Sequence, residues 1–279
     1  SVGMQEALLL LAKTLPKDVS RTAQPTFNII GSCADLFRFQ ADAREILRIM
    51  QGAFGIKPLC VMTSDTSVSA IEGMGAAHIN LVIRREGESA ALCLHERFGT
   101  PYLLGRPYGI EGTERWIQRV SEMLGTKADP AFLNSELKEA RSILSSVKPR
   151  LTLFAQMHPE DVCLSVGAHA DVAKGLLEYG CGELSLPKGA FWCDCPSMGS
   201  EDVPFFDEEK WSETVSSQKG ILMASGEALD WANRDMSLQI SNPDTLRRLN
   251  PYVSPFTGFR GALHLLELWV NSALAQDGD

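Results

Sequence analysis

Two cysteines, Cys193 and Cys195, are separated by a single aspartate, and Cys181 precedes them in the chain. Thiolates are soft ligands for zinc and iron–sulfur clusters, but both kinds of site call for four ligands, and this spacing matches no common zinc motif. Isolated cysteines usually pack as small hydrophobic side chains, so we predict no metal site here. Redox activity of Cys193 and Cys195, which fall in a predicted loop, is the alternative.

The five histidines form none of the patterns typical of metal or acid–base sites. There is no His-x-x-x-His pair and no histidine and aspartate set around a serine nucleophile. We predict that His95 and His264 lie within helices as packed or solvated side chains, and that His169 lies mid-helix. Glycine-rich fingerprints for dinucleotides and nucleoside triphosphates are missing too, which leaves NAD and ATP binding without support.

Arginines recur where predicted strands end. Arg84 and Arg85 follow one buried strand, and Arg106 follows the next. In open parallel sheets ligands bind beyond the carboxyl ends of the strands, where glycine permits close backbone approach. The residues of this predicted anion site are Gly31, Ser32, Arg84, Arg85, Arg106 and Gly109. The alternative is that the arginines cap strands or pair with Glu86 and Glu88 at the surface.

Length and composition indicate an ordinary globular chain. Of its 279 residues, 44% are hydrophobic and 22% are charged. A chain of this length and composition can form a hydrophobic core without stabilising disulfides or metal ions. The net charge of −9 argues against a nucleic-acid partner, because such binding depends on clustered lysine and arginine. The longest apolar runs, 7–12 and 263–268, the second interrupted by His264 and Glu267, are too short to span a membrane.

The cysteine count also bears on the cellular compartment. Seven cysteines would leave one thiol unpaired in a secreted protein, and the N-terminus shows no signal-peptide pattern. We therefore expect a protein of the reducing cytoplasm.

From residue 25 onward, short β-branched runs alternate with amphipathic stretches. The predicted strands cover residues 27–30, 59–62, 79–83 and 102–104. The predicted helices cover 41–51, 68–74, 89–97 and 111–124, the second of them capped by Ser67. This alternation predicts a parallel sheet with right-handed crossovers.

A polar linker over 126–130, ending in a proline, precedes a second block of the same kind. Its predicted helices cover 135–144, 159–179, 208–216 and 226–233, and its predicted strands cover 151–154, 183–186, 221–224 and 236–240. Residues 187–206 are predicted to form a long loop. A final helix over 261–274 is apolar on nearly every side, which is typical of a helix buried between domains or in a subunit interface.

These elements predict an α/β protein with two doubly wound, mainly parallel Rossmann-like sheets and a C-terminal docking helix. The predicted division is a helical lead-in over 1–25, a first α/β domain over 26–126, and a second over 127–279 that includes the final helix.

Seven short sequence runs occur in a familiar order. They are FNIIG at 27–31, FGI at 54–56, AHINLV at 77–82, RFGTPY at 97–102, YGIEGT at 108–113, NP at 242–243 and SPFTGFRGA at 254–262. This order resembles the nitrogenase component 1-like oxidoreductase superfamily. Its members include molybdenum–iron protein subunits, cofactor-assembly relatives, and protochlorophyllide and chlorophyllide reductase subunits.

The sequence also departs from the pattern of this superfamily. Family subunits have three similar domains, the first of which supplies cysteines to an iron–sulfur cluster, and this chain resembles the second and third only. The cysteine and histidine that hold the nitrogenase cofactor would fall near Arg84 and at Thr257, so nitrogen reduction is not expected. The resemblance then implies a tetrapyrrole-reductase-like or otherwise divergent member.

The closing loop adds Thr257 and Arg260 to the predicted substrate site. Arg260 would clamp a substrate anion, such as a tetrapyrrole carboxylate, through two hydrogen bonds. Alternatively, it would only hydrogen-bond carbonyls at the start of the last helix.

The resemblance implies low-potential electron transfer to a bound substrate, fed by an ATP-dependent iron–sulfur reductase, in a homo- or hetero-oligomer with a related subunit. No cofactor is assignable in this chain, since the cluster would be carried by a domain absent here. The alternative is a non-catalytic binding or scaffold protein that kept the fold and lost the redox centre.

Overall fold

The computed structural model describes residues 2–217, 219–232, 237–242 and 254–274. Its contacts divide the chain into two compact units. The first comprises Ser1–Ala34, Phe39–Pro107 and Glu114–Asn134, and the second Asp35–Arg38, Tyr108–Thr113 and Ser135–Asp279. The sequence-based division into 1–25, 26–126 and 127–279 stays a prediction.

The first unit contains a four-stranded sheet. Its strands are β1 (Thr26–Ser32), β2 (Lys57–Thr63), β3 (Ile79–Val82) and β4 (Tyr102–Leu104), in the order β2-β1-β3-β4 and all parallel. The helices up to this point are α1 (Val2–Thr14), α2 (Phe39–Phe54), α3 (Val68–Glu72) and α4 (Glu88–Phe98). Every residue of β1 is buried, as expected for a strand covered on both faces.

Local sequence signals account for these elements. In α2, Ile46, Ile49, Met50 and Ala53 share a buried face at helical spacing. The hydroxyl of Ser67 accepts a hydrogen bond from the amide of Ala70 and caps α3 as predicted.

Two helices follow in the chain, α5 (Ile110–Leu124) and α6 (Pro130–Met157), and then the sheet of the second unit. Its strands are β5 (Leu164–Ala168), β6 (Lys188–Cys193), β7 (Ile221–Ser225) and β8 (Ser237–Ser241), in the order β6-β5-β7-β8 and all parallel. Its helices are α7 (Ala170–Leu177), α8 (Glu208–Ser217), α9 (Gly226–Ala232) and α10 (Gly258–Leu274).

Both sheets have the doubly wound topology, which confirms the predicted α/β class. In each, the chain winds outward from the first strand to one side and then crosses to the other. The switch point therefore lies between β1 and β3 in the first unit and between β5 and β7 in the second, and ligands of such sheets bind there, beyond the carboxyl ends.

The predicted strand over 151–154 is wrong, because these residues lie inside the continuous helix α6. Leu151 and Ala155, one helical turn apart, are buried, whereas Leu153 is 58% exposed. An apolar run this short cannot be assigned to strand or helix by periodicity.

The prediction of helix over 159–179 is wrong in its first part, since β5 occupies Leu164–Ala168. β5 is buried at every residue and lacks the alternation that marks a half-exposed strand. The predicted strand over 183–186 is also wrong. A π-helical segment, Glu178–Glu183, continues past the expected stop at Gly180, and β6 lies within the stretch predicted as a loop.

Pro130 does not end the polar linker as expected but begins α6. The carboxylate of Asp129 accepts a hydrogen bond from the amide of Ala131 at 2.7 Å. Proline is tolerated at the first helical position because the amide there has no intrahelical partner.

Helix α10 begins at Gly258, earlier than predicted, and is not apolar all round. Its buried side chains include Phe259, Ala262, Leu265, Leu266 and Trp269, whereas Arg260, Glu267 and Asn271 are exposed. The indole of Trp269 donates to the sulfur of Met223 in β7, which ties the helix to the core of the second unit. None of the helices in the described ranges is both long and apolar enough to cross a membrane.

Candidate functional site

The carboxyl edge of the first sheet brings together Gly31, Ser32, Arg84 and Arg106. Gly31 has a φ of +99°, and a β-carbon there would lie 2.5 Å from Cγ of Arg84, so glycine lets the arginine pass over the end of β1. Ser32 is buried, and its hydroxyl has no hydrogen-bond partner among the described residues. The switch point of this sheet thus carries both predicted β1 residues.

Arg84 is engaged by a carboxylate. Its Nε lies 3.1 Å from Oε2 of Glu86 and its terminal nitrogen 2.9 Å from Oε1, a bidentate pair. The two side chains are 1% and 0% exposed, so this pairing occurs in the interior rather than at the surface where the alternative interpretation put it. The charge that Arg84 would offer an anion is already compensated.

Arg106 and Arg85 differ in how far their side chains are exposed to solvent. The side chain of Arg106 is buried, forms a 3.0 Å ion pair with Asp42, and donates to the carbonyl of Ile83 just beyond β3. Arg85, which begins a short 3₁₀ turn at the same edge, is exposed. Of the three arginines, only Arg85 presents its side chain to solvent.

Gly109 belongs to the second unit, where it adjoins the first turn of α5. The carboxylate of Glu183 accepts hydrogen bonds from the amides of Ile110, Glu111 and Gly112 at 2.8, 3.1 and 2.9 Å. A β-carbon at Gly109, whose φ is +75°, would collide with that carboxylate. Burial raises the pKa of Glu183, although the three amide hydrogen bonds oppose the shift.

Thr257 and Arg260 lie at the start of α10. Thr257 is fully buried, and its carbonyl accepts the amide of Gly261. Arg260 is exposed and lines a groove of about 530 Å³ between α6 and α10, together with His264 and Glu267.

The carboxyl edge of the second sheet holds a group that the sequence analysis missed. His169 directly follows β5 and precedes α7, so its predicted mid-helix position is wrong. Its Nε2 lies 3.2 Å from Oδ2 of Asp35, and its Nδ1 lies 3.4 Å from Oδ1 of Asp194, which follows β6. Recognising β5 would have placed His169 at a strand end, where ligand sites occur.

The cysteines do not fit an iron–sulfur cluster. Cys193 and Cys195 are buried, and the amide of Cys195 donates to the sulfur of Cys193 at 3.3 Å. Burial raises the pKa of Cys193 to about 11, so the group is a thiol at neutral pH. In the part of the chain that the structure describes, no three His, Cys, Asp or Glu side chains are grouped to hold a metal ion. No chemical step is therefore assigned to a cluster bound by these cysteines.

The chain matches a known family over its first half and beyond. The model of the family described as nitrogenase component 1 type oxidoreductase matches residues 1–171. A subunit of the light-independent protochlorophyllide reductase of Cereibacter sphaeroides is 34% identical over 134 residues, which are 47% of this chain and 26% of that protein. The corresponding protein of Chloroflexus aurantiacus is 34% identical over 115 residues, 41% of this chain and 21% of that protein. The matched segments thus span about a quarter of these relatives.

Solved structures share the fold. One described as "Nitrogenase Cp1 at pH 6.5" superposes with a TM-score of 0.74 and 16% identity, over 99% of this chain and 65% of that one. Another, described as "Nitrogenase Cp1 at pH 5", gives 0.60 and 14%, over 98% and 61%. At these identities the likeness establishes the fold alone.

Proposed function

Because this chain belongs to the nitrogenase component 1 type oxidoreductase family, we propose that it acts in a multi-subunit reductase that passes electrons to a bound tetrapyrrole-like substrate. The observation that carries the proposal is its similarity to one of the subunits of light-independent protochlorophyllide reductase, whose named substrate is a tetrapyrrole. An α/β scaffold with two switch points suits this role, since each offers a ligand crevice.

In this proposal the chain pairs with a related subunit and receives electrons from an ATP-dependent iron–sulfur reductase. In this arrangement the chain binds and orients the substrate. That division of labour is common where a cofactor supplies the redox chemistry and the protein supplies the geometry.

The burial pattern refines the proposed substrate site. The side chains of Arg84 and Arg106 are buried against carboxylates, and Arg106 also donates to the carbonyl of Ile83 at the edge of the first sheet. Arg85 is exposed at the same edge, so we assign it the contact with a substrate carboxylate. Gly31 and Ser32 form the floor of this site, and in the second unit Gly109, Thr257 and Arg260 remain proposed site residues.

The test is a binding titration of the anaerobically purified chain with protochlorophyllide, followed by absorbance and fluorescence. Arg85→Ala removes a charge-assisted hydrogen bond and is expected to weaken binding about 10-fold. Arg119→Ala is the matched control, because it removes one positive charge from another exposed position of the first unit.

If both variants weaken binding equally, the loss of affinity results from the change in net charge, and Arg85 does not contact the substrate. A chain that binds no tetrapyrrole, alone or with partner subunits, would overturn the proposed substrate class and favour the scaffold alternative.

A further inference from the structure

Helices α8 and α9 lie side by side on one face of the sheet of the second unit. The connections that contain them lead from β6 to β7 and from β7 to β8, both in the same direction across the strand order β6-β5-β7-β8. Right-handed crossovers in one direction place their helices on the same face of a sheet. One hydrophobic core joins the two helices to this face, and its buried members are Trp192, Val215, Leu222, Ala224 and Ala228.

Two tryptophans meet where α8 and α9 adjoin. The rings of Trp211 in α8 and Trp231 in α9 are arranged edge to face, with 6.3 Å between their centroids and an angle of 90° between their planes. Trp211 is half-buried, whereas Trp231 is 58% exposed. Tryptophan is enriched among the residues that contribute most of the binding energy in protein–protein interfaces, where a partner covers its ring.

Carboxylates accompany both tryptophans. Residues 201–232 include eight aspartates and glutamates and two lysines, a net charge of −6 against −9 for the whole chain. Glu227 precedes Trp231 by four residues in α9, and Glu208 precedes Trp211 by three in α8. Side chains at these spacings are neighbours on a helix surface, so each ring has a carboxylate beside it.

The two lysines of this segment are engaged elsewhere. The ammonium of Lys210 lies 4.2 Å from the centroid of the Phe206 ring, so this surface already holds one cation on an aromatic ring. Lys219 faces Glu160, outside the segment, at 3.8 Å. Within the described ranges, the exposed carboxylates of Glu208, Glu213 and Glu227 form no ion pair.

Helix stability explains only part of this pattern. Glu208 and Glu227 lie in first helical turns, where a carboxylate interacts favourably with the helix dipole. Glu213 lies in the second turn of α8, and its position has no such benefit. Nor does the helix dipole account for the exposure of Trp231. A cationic partner that covers the indole explains both features.

We propose that the α8–α9 face, defined by Trp211, Trp231, Glu208, Glu213 and Glu227, is a docking surface for a protein whose contact region carries arginines or lysines around an apolar centre. An arginine of the partner stacks on the ring of Trp231 and donates to Glu227, which combines a cation–π contact with a charge-assisted hydrogen bond. The apolar centre covers the two rings, and the other carboxylates steer the approach of the partner.

The charge of the α8–α9 face selects the class of partner. Nucleic acids and acidic lipid surfaces bind through lysines and arginines, and a face with this excess of carboxylates repels them. This inference goes beyond the proposed function and does not depend on which substrate the chain binds.

The test uses the full chain and a fluorescently labelled amphipathic peptide of leucine and arginine, whose binding is followed by anisotropy. Trp231→Ala is expected to weaken binding about 10-fold, because it removes the ring on which the cation and the apolar centre pack. Leu153→Ala is the matched control, since Leu153 in α6 of the same unit is also 58% exposed, and it should leave the affinity unchanged. A peptide with glutamate in place of arginine should not bind.

Further variants separate charge and fold from the contact itself. Glu227→Gln is expected to weaken binding about 5-fold at low salt and less at high salt, because exposed charges are screened. Glu139→Gln, at an exposed position of α6, removes the same net charge and should have little effect. Trp231→Phe retains an aromatic ring and should recover most of the affinity that Trp231→Ala loses.

Three results would overturn the proposal. One is a wild-type chain that does not bind the basic peptide, and another is equal binding by Trp231→Ala and Leu153→Ala. The third comes from sedimentation of the chain without peptide. Self-association that Trp231→Ala abolishes would show that a second copy of the chain, rather than a basic partner, covers this face.

Discussion

At the scale of single residues, Arg84 and Glu86 compensate each other's charge inside the first unit. Their bidentate contact is almost fully shielded from solvent. Burying two ions is costly, and their attraction offsets that cost only while both are present. Loss of either partner removes this ion pair and leaves the other charge buried.

We therefore predict that Glu86→Gln lowers the free energy of unfolding by about 3 kcal/mol, measured by urea denaturation. Glu96→Gln, at an exposed position of α4, is the matched control and should change stability little. Replacing both partners, by Arg84→Met with Glu86→Leu, should recover most of the loss. A Glu86→Gln variant as stable as the control would show that Arg84 does not depend on Glu86.

At the scale of elements, Glu183 links the π-helical segment to the first turn of α5. Its carboxylate accepts hydrogen bonds from backbone amides that have no partner within the helix at its N-terminus. Burial nonetheless raises its pKa above the ordinary value of 4.5, so the folded protein binds this proton more tightly than the unfolded chain does. The contribution of this group to stability must then fall as the pH rises from 4.5 through the raised pKa.

This linkage is tested by comparing wild type with Glu183→Gln in urea denaturation between about pH 4 and pH 7. The free energy of unfolding of the wild type, minus that of the variant, is expected to decrease with rising pH. Glu178→Gln, at an exposed position of the same segment, should show no such trend. A difference that grows with pH would mean that the three amides lower the pKa of Glu183 more than burial raises it.

At the scale of the whole molecule, the cysteines are distributed rather than grouped. All seven are thiols outside any disulfide bond, and the described residues contain no cluster of potential metal ligands. We expect the chain, purified without oxygen, to contain far less than stoichiometric iron by mass spectrometry. Stoichiometric iron with labile sulfide would show instead that its own cysteines hold a cluster.

The sequence predicted the first unit better than the second. Its strands and helices were found within a few residues, since capping by Ser67 and the buried face of α2 are local signals. In the second unit the sequence pattern wrongly predicts helix at β5, because a strand buried at every residue shows no alternation. It also wrongly predicts a strand at Leu151, because so short an apolar run fits either strand or helix.

The sequence likewise predicts only part of the candidate site. The arginines at the strand ends were identified from their position alone, but the sequence could not tell that Arg84 and Arg106 are matched by carboxylates and Arg85 is exposed. Exposure and pairing depend on how helices and loops pack over the sheet edge.

Short motifs and local periodicity are sufficient to identify the family, the α/β class and the first sheet. The register of the second sheet, and the proximity of Asp35, His169 and Asp194, depend on how the whole chain packs. Asp35 and His169 are 134 residues apart, and no local pattern links them. His169 and Asp194 meet because they follow the neighbouring parallel strands β5 and β6, whose carboxyl ends share one edge of the sheet. Asp35 is held beside β8 by the bridge between Leu36 and Ser241 and by the hydrogen bond from the amide of Asn242 to its carbonyl.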